Sequence, residues 1–365
     1  MPETLYWFDQ NIPLPSNDSR EKAAQHQSQL TKPAGSLSKL ESLAIELAAQ
    51  QNSNKPTIRA PQITVFAADH GIAQRGVSAF PQSVTAQMVS NFIAGGAAIS
   101  VLAKQFDAQL EVVNLGTCYP IPQCLSSNQE PLQGLHNAII AKSTADFSRQ
   151  AAMSSEQAQQ ALQEGANALE RAPLECTLFI GGEMGIANTS SAAALAAALL
   201  NKEIDEVCGY GTGISEDAKS QKASLINAGV QRFTEKAKSL DLTERQRALL
   251  ALEELGGFEI AGLCGAYLRA AQMGKSILLD GVISSVAALL ACKINPAVTH
   301  YLLASHLSAE IAHKTILESL NLTPLLEWGM RLGEGSGAAL CIGLLDSACQ
   351  IHNNMATFAE AGVSQ

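Results

Sequence analysis

The sequence repeats one pattern along most of its length: a short β-branched run, a glycine-rich or polar turn, and an alanine-rich stretch that is helical in character. Strands that alternate with helices pair in parallel, because each helix carries the chain back along the sheet. The pattern therefore predicts an α/β fold with a doubly wound, mostly parallel sheet of about six strands flanked by helices. The predicted strands are residues 63–67, 110–114, 176–180, 206–208, 276–279 and 298–304.

Two glutamates lie inside glycine-rich turns that follow this pattern. Glu183 stands in Gly-Gly-Glu-Met-Gly (residues 181–185), and Glu334 stands in Gly-Glu-Gly-Ser-Gly (residues 333–337). Glycine beside an acid lets backbone and ligand approach closely, and the N–H groups of a following helix attract anions. Ligands of doubly wound sheets bind beyond the carboxyl ends of the strands, where such turns gather. The two acids therefore predict one active site assembled from two turns that are distant in sequence.

The other polar candidates have both a functional and a structural interpretation. The hydroxyl- and amide-rich residues 188–191 either bind an anion or cap the helix that follows them. The Gly-Tyr-Gly-Thr-Gly run at 209–213 forms either an anion-binding nest or an ordinary turn. Glu334 is either a proton acceptor or a helix cap, and Lys222 is expected on a solvated helix face. The residues alone leave these alternatives open.

Neither the histidines nor the cysteines indicate a metal site. His300, His306 and His313 match no compact ligand spacing, and Asp69-His70 belongs to no metalloprotease pattern. We therefore expect hydrogen-bonding or structural roles for them, and predict no metal ion and no cofactor. The cysteines never form a C-x-x-C pair, so a disulfide framework and a zinc site are both disfavoured. They are Cys118, Cys124, Cys176, Cys208, Cys264, Cys292, Cys341 and Cys349.

Composition narrows the class of protein further. Hydrophobic residues make up 47% of the chain and charged residues only 16%, which is typical of a folded protein. With 24 Lys+Arg against 34 Asp+Glu, the net charge of −10 disfavours nucleic acid and anionic membranes as partners. The start of the chain lacks a signal-peptide pattern, and the apolar stretches 276–292 and 335–345 are interrupted by Asp280 or too short to span a bilayer. We therefore expect a cytoplasmic protein with small-molecule ligands.

The two ends of the chain depart from the central pattern, since both are helical and neither contains a strand run. Chain termini often lie close together in a folded domain. The sequence therefore predicts a large α/β catalytic domain of residues 31–344 and a small helical domain built from residues 1–30 and 345–365.

Short motifs in a consistent order cover nearly the whole chain: residues 31–41, 67–71 with 76–82, 181–189, 209–214, 255–260, 279–281, 305–306 and 331–337. Together they resemble the nicotinate-nucleotide:dimethylbenzimidazole phosphoribosyltransferase family. Each motif is moderately specific, whereas the set is highly specific. The first motif departs from the family pattern, with Ala34 and Ser38 where proline and glycine are more usual.

The resemblance implies transfer of the 5-phosphoribosyl group from nicotinate mononucleotide to 5,6-dimethylbenzimidazole. The products would be α-ribazole 5′-phosphate and nicotinate, with inversion at the anomeric carbon. Nicotinate leaves from a pyridinium that already carries positive charge, so its departure needs no acid and no metal. The attacking benzimidazole must lose an N–H proton, so the reaction needs one general base. The resemblance also implies a Rossmann-like large domain and a homodimer.

The resemblance assigns roles to individual residues. Glu334 matches the catalytic glutamate and would be the base, while Glu183 and Lys222 would contact the ribose or nicotinate. A slot for the aromatic base would be formed by Ser78, Phe80, Gln87, Met184 and Leu332. The phosphate and ribose would be bound by Gly182, Gly185, Asn188, Thr189, Gly211, Gly213, Ser305 and His306.

Three alternatives accompany this interpretation. The acceptor could instead be another benzimidazole, a purine or a phenol, since apolar contacts discriminate weakly between flat rings. A non-catalytic nucleotide sensor would keep the fold, but it would not need a proton acceptor at Glu334. A Rossmann oxidoreductase is disfavoured, because the chain lacks the dinucleotide fingerprint.

Overall fold

The computed structural model describes residues 6–122, 134–211 and 213–364. Its strands form one six-stranded sheet in the order β3-β2-β1-β4-β5-β6, and every neighbouring pair is parallel. This order is that of the Rossmann fold, so the predicted fold class is confirmed. The strands are β1 (Gln62–Ala68), β2 (Gln109–Gly116), β3 (Leu135–Asn137), β4 (Leu178–Met184), β5 (Ser276–Leu279) and β6 (Leu302–Ala304).

Helices cover both faces of this sheet, and single 3-10 turns lie at Trp7–Asp9, Gly71–Arg75 and Pro296–Tyr301. In chain order the α-helices are α1 (Asn17–Gln29), α2 (Lys39–Gln50), α3 (Ser83–Ile93), α4 (Ala98–Gln105), α5 (Ser155–Arg171), α6 (Asn188–Leu200), α7 (Ile204–Val207), α8 (Glu216–Lys238), α9 (Glu244–Leu255), α10 (Phe258–Gln272), α11 (Val282–Ile294), α12 (Ala312–Ser319), α13 (Ser336–Leu340), α14 (Ile342–Asn354) and α15 (Phe358–Ala361).

The core has two layers, because successive side chains of each strand point to opposite faces of the sheet. In β1, Phe66 packs into the layer formed with α5, α10 and α11, whereas Val65 and Ala67 pack into the layer formed with α3, α4 and α13. Every residue of β1 is buried. Burial on both faces explains why these strands are continuous apolar runs rather than alternating ones.

One predicted strand is wrong and one strand was not predicted. Residues 206–208 lie at and just after helix α7, where Glu203 and Glu206 form a capping box and Lys202 pairs with Glu206 at 2.9 Å. These local contacts favour a helical turn over the extended conformation that Val207 and Cys208 suggest. The edge strand β3 is only three residues long, and its Leu-His-Asn sequence carries no strand signal. In the last predicted strand, only Leu302–Ala304 is extended.

The two chain ends lie together, on helix α2. Both α1 and α14 pack against α2, and Leu30 forms an antiparallel bridge with Thr357. His26 Nε2 lies 2.8 Å from the carbonyl oxygen of His352, which connects the two end helices directly. The division into two domains stays a prediction, and the boundary at residue 345 falls inside α14.

One apolar stretch of the described residues, Ser83–Gln105, has the length and hydropathy of a membrane span. The chain turns between α3 and α4 within this stretch, and both helices contact the sheet. Core helices of a folded protein commonly pass the same test. The seven described cysteines are free thiols, and Cys124 lies outside the described residues.

Candidate active site

A cavity of about 480 Å³ opens beyond the carboxyl ends of β4, β5 and β6, close to the point where the strand order reverses between β1 and β4. Doubly wound sheets bind their ligands at this position. Both glutamates of the glycine-rich turns line it, as the sequence predicts. The other predicted site residues in its lining are Phe80, Met184, Gly185, Asn188, Thr189, Gly211, His306 and Leu332.

Glu334 is held in an uncommon backbone conformation at the cavity wall. Its φ of +65° is left-handed, and its neighbours Gly333 and Gly335 are left-handed as well. Burial raises the pKa of its carboxyl, while hydrogen bonds from the Ile99 N–H and the Ser336 hydroxyl act in the opposite direction. Glu334 therefore has contacts that stabilise the carboxylate, and its burial makes it a stronger base than an exposed glutamate.

Glu183 lies near the end of β4 and is also buried. Burial raises its pKa to about 8, and the negative charges of Glu259 and Asp280 contribute to the rise. Asn188, in the first turn of α6, donates a hydrogen bond to the same carboxyl group. At neutral pH Glu183 is therefore mainly a neutral carboxylic acid that can donate a hydrogen bond into the cavity.

Asp280 holds the Glu334 loop in place from the end of β5. Its two carboxylate oxygens accept hydrogen bonds from the N–H groups of Gly335 (3.2 Å) and Ala338 (3.0 Å). The loop also needs a close backbone approach, because a Cβ on Gly182 would lie 2.1 Å from the carbonyl oxygen of Glu334. The glycine-rich turns thus bring backbone against backbone, and Gly182 faces the Glu334 loop instead of the cavity.

Lys222 is buried instead of lying on a solvated face, so that structural expectation is wrong. Its ammonium donates to Thr189 Oγ1 at 2.9 Å and to the Gly209 carbonyl at 3.3 Å. Burial lowers the pKa of Lys222, whereas the carboxylate of Glu310 opposes that change. The lysine connects α8 to the start of α6 and places its ammonium against Thr189, which lines the cavity.

Two charged residues to which the sequence analysis assigned no role, Arg331 and Glu310, also line the cavity. Arg331 donates to the Gly211 carbonyl at 3.3 Å. Burial raises the pKa of Glu310, although Lys222 and Arg331 counteract this. Arg331 belongs to the same motif as Glu334, which is the one sequence signal that pointed to it. Gly213 is exposed and lies outside the lining.

His306 borders the cavity and is oriented by Ser305. The Ser305 hydroxyl donates to the Leu279 carbonyl at 2.5 Å, so its oxygen accepts from His306 Nδ1–H at 2.9 Å. Ser305 itself is fully buried and acts through His306. His313 is a structural histidine, hydrogen-bonded to Ser285 Oγ and to the Ser308 N–H.

Other lining residues are apolar, and two of them are largely exposed. Phe80 is 53% exposed and Leu332 is 59% exposed, so both flank an open mouth rather than a closed core. Helix α3 contributes Val84 and Met88, which are one turn apart on the same face. Gln87 is exposed and lies outside the lining, and the described lining does not include Ser78. Met88, the next residue of α3, lines the cavity in place of Gln87, which the resemblance assigned to the slot.

Behind β1 and β4 lies a buried ion pair. His70 Nε2 is 2.7 Å from Glu259 Oε1, and His70 Nδ1 is 3.1 Å from Ser191 Oγ. Burial alone would lower the pKa of His70, but the carboxylates of Glu259 and Asp69 raise it overall. The Ser191 hydroxyl donates to the Gly256 carbonyl at 3.3 Å, so its oxygen accepts from His70 Nδ1–H, while His70 Nε2–H donates to Glu259. Among the described residues, no group of three or more His, Cys, Asp and Glu side chains has the arrangement of a metal site.

Comparison with known proteins places the chain in a family. Residues 12–363 match the family described as phosphoribosyltransferase. The nicotinate-nucleotide–dimethylbenzimidazole phosphoribosyltransferase of Ectopseudomonas mendocina is 48% identical over 362 residues, which is 99% of each chain. That of Pseudomonas putida KT2440 is also 48% identical, over 98% of each chain.

Solved structures agree. The crystal structure of nicotinate-nucleotide-dimethylbenzimidazole phosphoribosyltransferase from Thermus thermophilus superposes with a TM-score of 0.86 and 38% identity, and the match covers 96% of this chain and 99% of that chain. The chain belongs to this phosphoribosyltransferase family and is an enzyme of that class.

Proposed function

We propose that this phosphoribosyltransferase transfers the 5-phosphoribosyl group of nicotinate mononucleotide to 5,6-dimethylbenzimidazole, with Glu334 as the general base. The names of its relatives supply the two substrates. The observation that carries the proposal is one cavity lined by Glu334, by apolar side chains such as Phe80 and Leu332, and by Thr189 and Arg331, with the Lys222 ammonium bound to Thr189. A flat aromatic acceptor fits the apolar side chains, and an anionic nucleotide fits the positively charged ones.

The reaction needs only one proton transfer to a protein group. One ring nitrogen of the benzimidazole attacks the anomeric carbon from the face opposite to nicotinate, which inverts the configuration. The bond to the pyridinium nitrogen breaks, and its electron pair neutralises the ring. The proton on the other benzimidazole nitrogen passes to Glu334, whose raised pKa makes it a stronger base than an exposed glutamate.

The neighbouring carboxyl has a different task. Because the pKa of Glu183 is raised to about 8, it is mainly neutral at pH 7 and donates a hydrogen bond. Its acceptor would be a ribose hydroxyl or the nicotinate carboxylate. Two carboxyl groups with different surroundings in one site commonly divide the base and donor roles in this way.

The test is a product assay with nicotinate mononucleotide and 5,6-dimethylbenzimidazole, comparing wild type with Glu334→Gln, with and without EDTA. Wild type should release nicotinate only when the base is present, with or without EDTA, and the variant should lose about 10²- to 10⁴-fold in kcat. Glu254→Gln is the control, because Glu254 is another buried carboxylate, ion-paired to Arg232 and Lys236 away from the cavity. Full activity of Glu334→Gln would remove the base assignment.

The open mouth motivates a second candidate acceptor. With Phe80 and Leu332 more than half exposed, the slot excludes other flat rings weakly. A panel of benzimidazoles, purines and phenols would rank the acceptors by kcat/KM. Binding of the mononucleotide without transfer to any of them would instead support a nucleotide sensor. The homodimer and the cytoplasmic location stay predictions, and light scattering tests the first.

A further inference from the structure

The ion pair of His70 and Glu259 has no part in the proposed reaction, yet both side chains are fully buried. Replacing a buried ion pair with apolar residues is often neutral or stabilising, so stability alone does not explain this pair. One oxygen of Glu259, Oε2, has no hydrogen-bond partner among the described residues. Space around the pair is tight, since a Cβ on Gly257 would lie 2.4 Å from the His70 ring.

The pair is connected to the cavity wall through His70. The imidazole donates to the Ser191 hydroxyl in the first turns of α6, and that turn also carries Asn188, the hydrogen-bond donor to Glu183. The His70 ring also packs against Gly185, where a Cβ would lie 3.4 Å from it. His70 therefore holds the segment after Glu183 in place through its contacts with Ser191 and Gly185.

The pair is also connected to Glu183 by charge. Burial is the first cause of the raised pKa of Glu183, and the carboxylate of Glu259 is the second. The charged and titratable groups that act on Glu183 come from separate elements: Glu259 from α10, Asp280 from the end of β5 and Glu334 from the loop before α13. Tyr267 lies near the same group and stays neutral, because burial raises its pKa strongly.

We propose that His70 and Glu259 are positioning residues of this active site: their ion pair fixes the start of α6 through Ser191, and with it Asn188, the hydrogen-bond donor to Glu183. The consequence is that Asn188 holds the Glu183 carboxyl in one orientation at the cavity wall. This inference rests on the proposed function, because the role of Glu183 in binding the nucleotide is part of it.

The experiment compares KM for nicotinate mononucleotide and kcat in wild type and Glu259→Gln. Glutamine keeps the size of the side chain but removes the ion pair with His70, so His70 no longer holds the start of α6. We expect KM for the mononucleotide to rise severalfold while kcat stays near wild type. Glu254→Gln again serves as the matched control, and it should lower the melting temperature without changing KM. An unchanged KM in a folded Glu259→Gln overturns the proposal.

Ser191→Ala tests the mechanical connection without changing any charge. The variant loses the anchor of His70 to α6, so we expect KM for the mononucleotide to rise severalfold while kcat stays near wild type. His352→Asn is the control for loss of a buried histidine contact, since His352 lies on α14, and it should leave KM unchanged. If Glu259→Gln does not fold, Ser191→Ala decides, and an unchanged KM there overturns the proposal.

The two proposals fail in different ways. Wild type that transfers no phosphoribosyl group contradicts the proposed function. In that case the affinity for the mononucleotide is measured directly by calorimetry. Equal dissociation constants of wild type and Glu259→Gln then contradict the positioning role, whereas weaker binding by the variant supports it.

Discussion

At the scale of single residues, the site is defined by two carboxyl groups in one cavity that differ in surroundings. Burial raises the pKa of both groups, but Glu334 also receives hydrogen bonds that favour its charged form, whereas Glu183 also faces three other acids that favour its neutral form. Their wide separation in sequence hides this relationship. The fold makes them neighbours because β4 and the loop before α13 meet at Gly182.

The two glutamates should therefore respond differently to the same substitution. Glutamine mimics a neutral carboxyl, so Glu183→Gln should keep kcat within about tenfold of wild type and lose the alkaline limb near pH 8. Glu334→Gln cannot accept a proton and should be nearly inactive at every pH. Steady-state pH–rate profiles measure both variants. Equal loss of activity in the two would contradict the donor role of Glu183.

Part of this site could be predicted from residue types and part could not. Glu183 and Glu334 were found because an acid between glycines is an unusual local signal. Lys222 was recognised only through family resemblance, since its burial depends on how α8 lies against α6. Met88 and Glu310 were missed because the orientation of α3 and the path of the loop before α12 are set by tertiary packing. No local sequence pattern reveals that packing.

At the scale of elements, the glycine-rich turns serve backbone packing. A Cβ on Gly182 would meet the carbonyl of Glu334 at 2.1 Å, and one on Gly337 would meet the His306 ring at 2.2 Å. These glycines allow β4, β6 and the Glu334 loop to approach one another. The local pattern of glycines in the sequence is equally consistent with ligand contact, and only the tertiary contact distinguishes the two roles.

Gly182→Ala should consequently damage catalysis more than folding. The added methyl displaces the Glu334 loop at a cost of about 1–3 kcal/mol, and the base moves with the loop. We expect a loss of kcat of at least about tenfold with a smaller change in melting temperature. Gly343→Ala in α14 is the control, because its Cβ would meet only the flexible ring of Phe106 at 3.3 Å. Wild-type kcat in Gly182→Ala would show that the loop tolerates displacement.

The strands were predictable where both faces are buried, as in β1, because a short continuous apolar run is typical of a strand buried inside a parallel sheet. Prediction failed where short-range polar contacts compete with apolar content. Residues 206–208 look extended by composition, but the capping box from Glu203 to Glu206 closes a helical turn. The edge strand β3 has three residues, and its pairing with β2 comes from the sheet and not from its own sequence.

At the scale of the whole molecule, buried ionisable groups make folding stability depend on pH in two opposing ways. The pKa of His313 is lowered to about 3, mainly by burial, so the folded protein keeps this ring neutral. The pKa of Glu183 is raised to about 8, so the folded protein keeps that carboxyl protonated. Unfolding returns both groups to ordinary values near 6.5 and 4.5, respectively.

The sign of each contribution follows from proton uptake. His313 takes up a proton on unfolding between pH 6.5 and about 3, so its stabilising contribution is present above pH 6.5 and is lost as pH falls. Glu183 releases a proton on unfolding between pH 4.5 and about 8, so its contribution is lost as pH rises. Each slope approaches about 1.4 kcal/mol per pH unit, and the two cancel where the windows overlap.

The free energy of unfolding contributed by His313 and Glu183 together should therefore fall below pH 4.5 because of His313, and fall above pH 6.5 because of Glu183. Urea unfolding at pH values from about 4 to 8 measures the free energy of unfolding directly. His313→Gln should flatten the curve below about pH 4.5 and leave the falling slope of Glu183 uncancelled from about pH 4.5 to 6.5, because glutamine keeps a hydrogen-bonding group without titrating. Glu183→Gln should flatten the curve above about pH 6.5 and leave the rising slope of His313 uncancelled in the same interval. Other buried acids add to both curves, so the decisive quantity is the change of slope between wild type and each variant. A His313→Gln curve parallel to wild type below about pH 6 would mean that this ring is already charged in the folded protein.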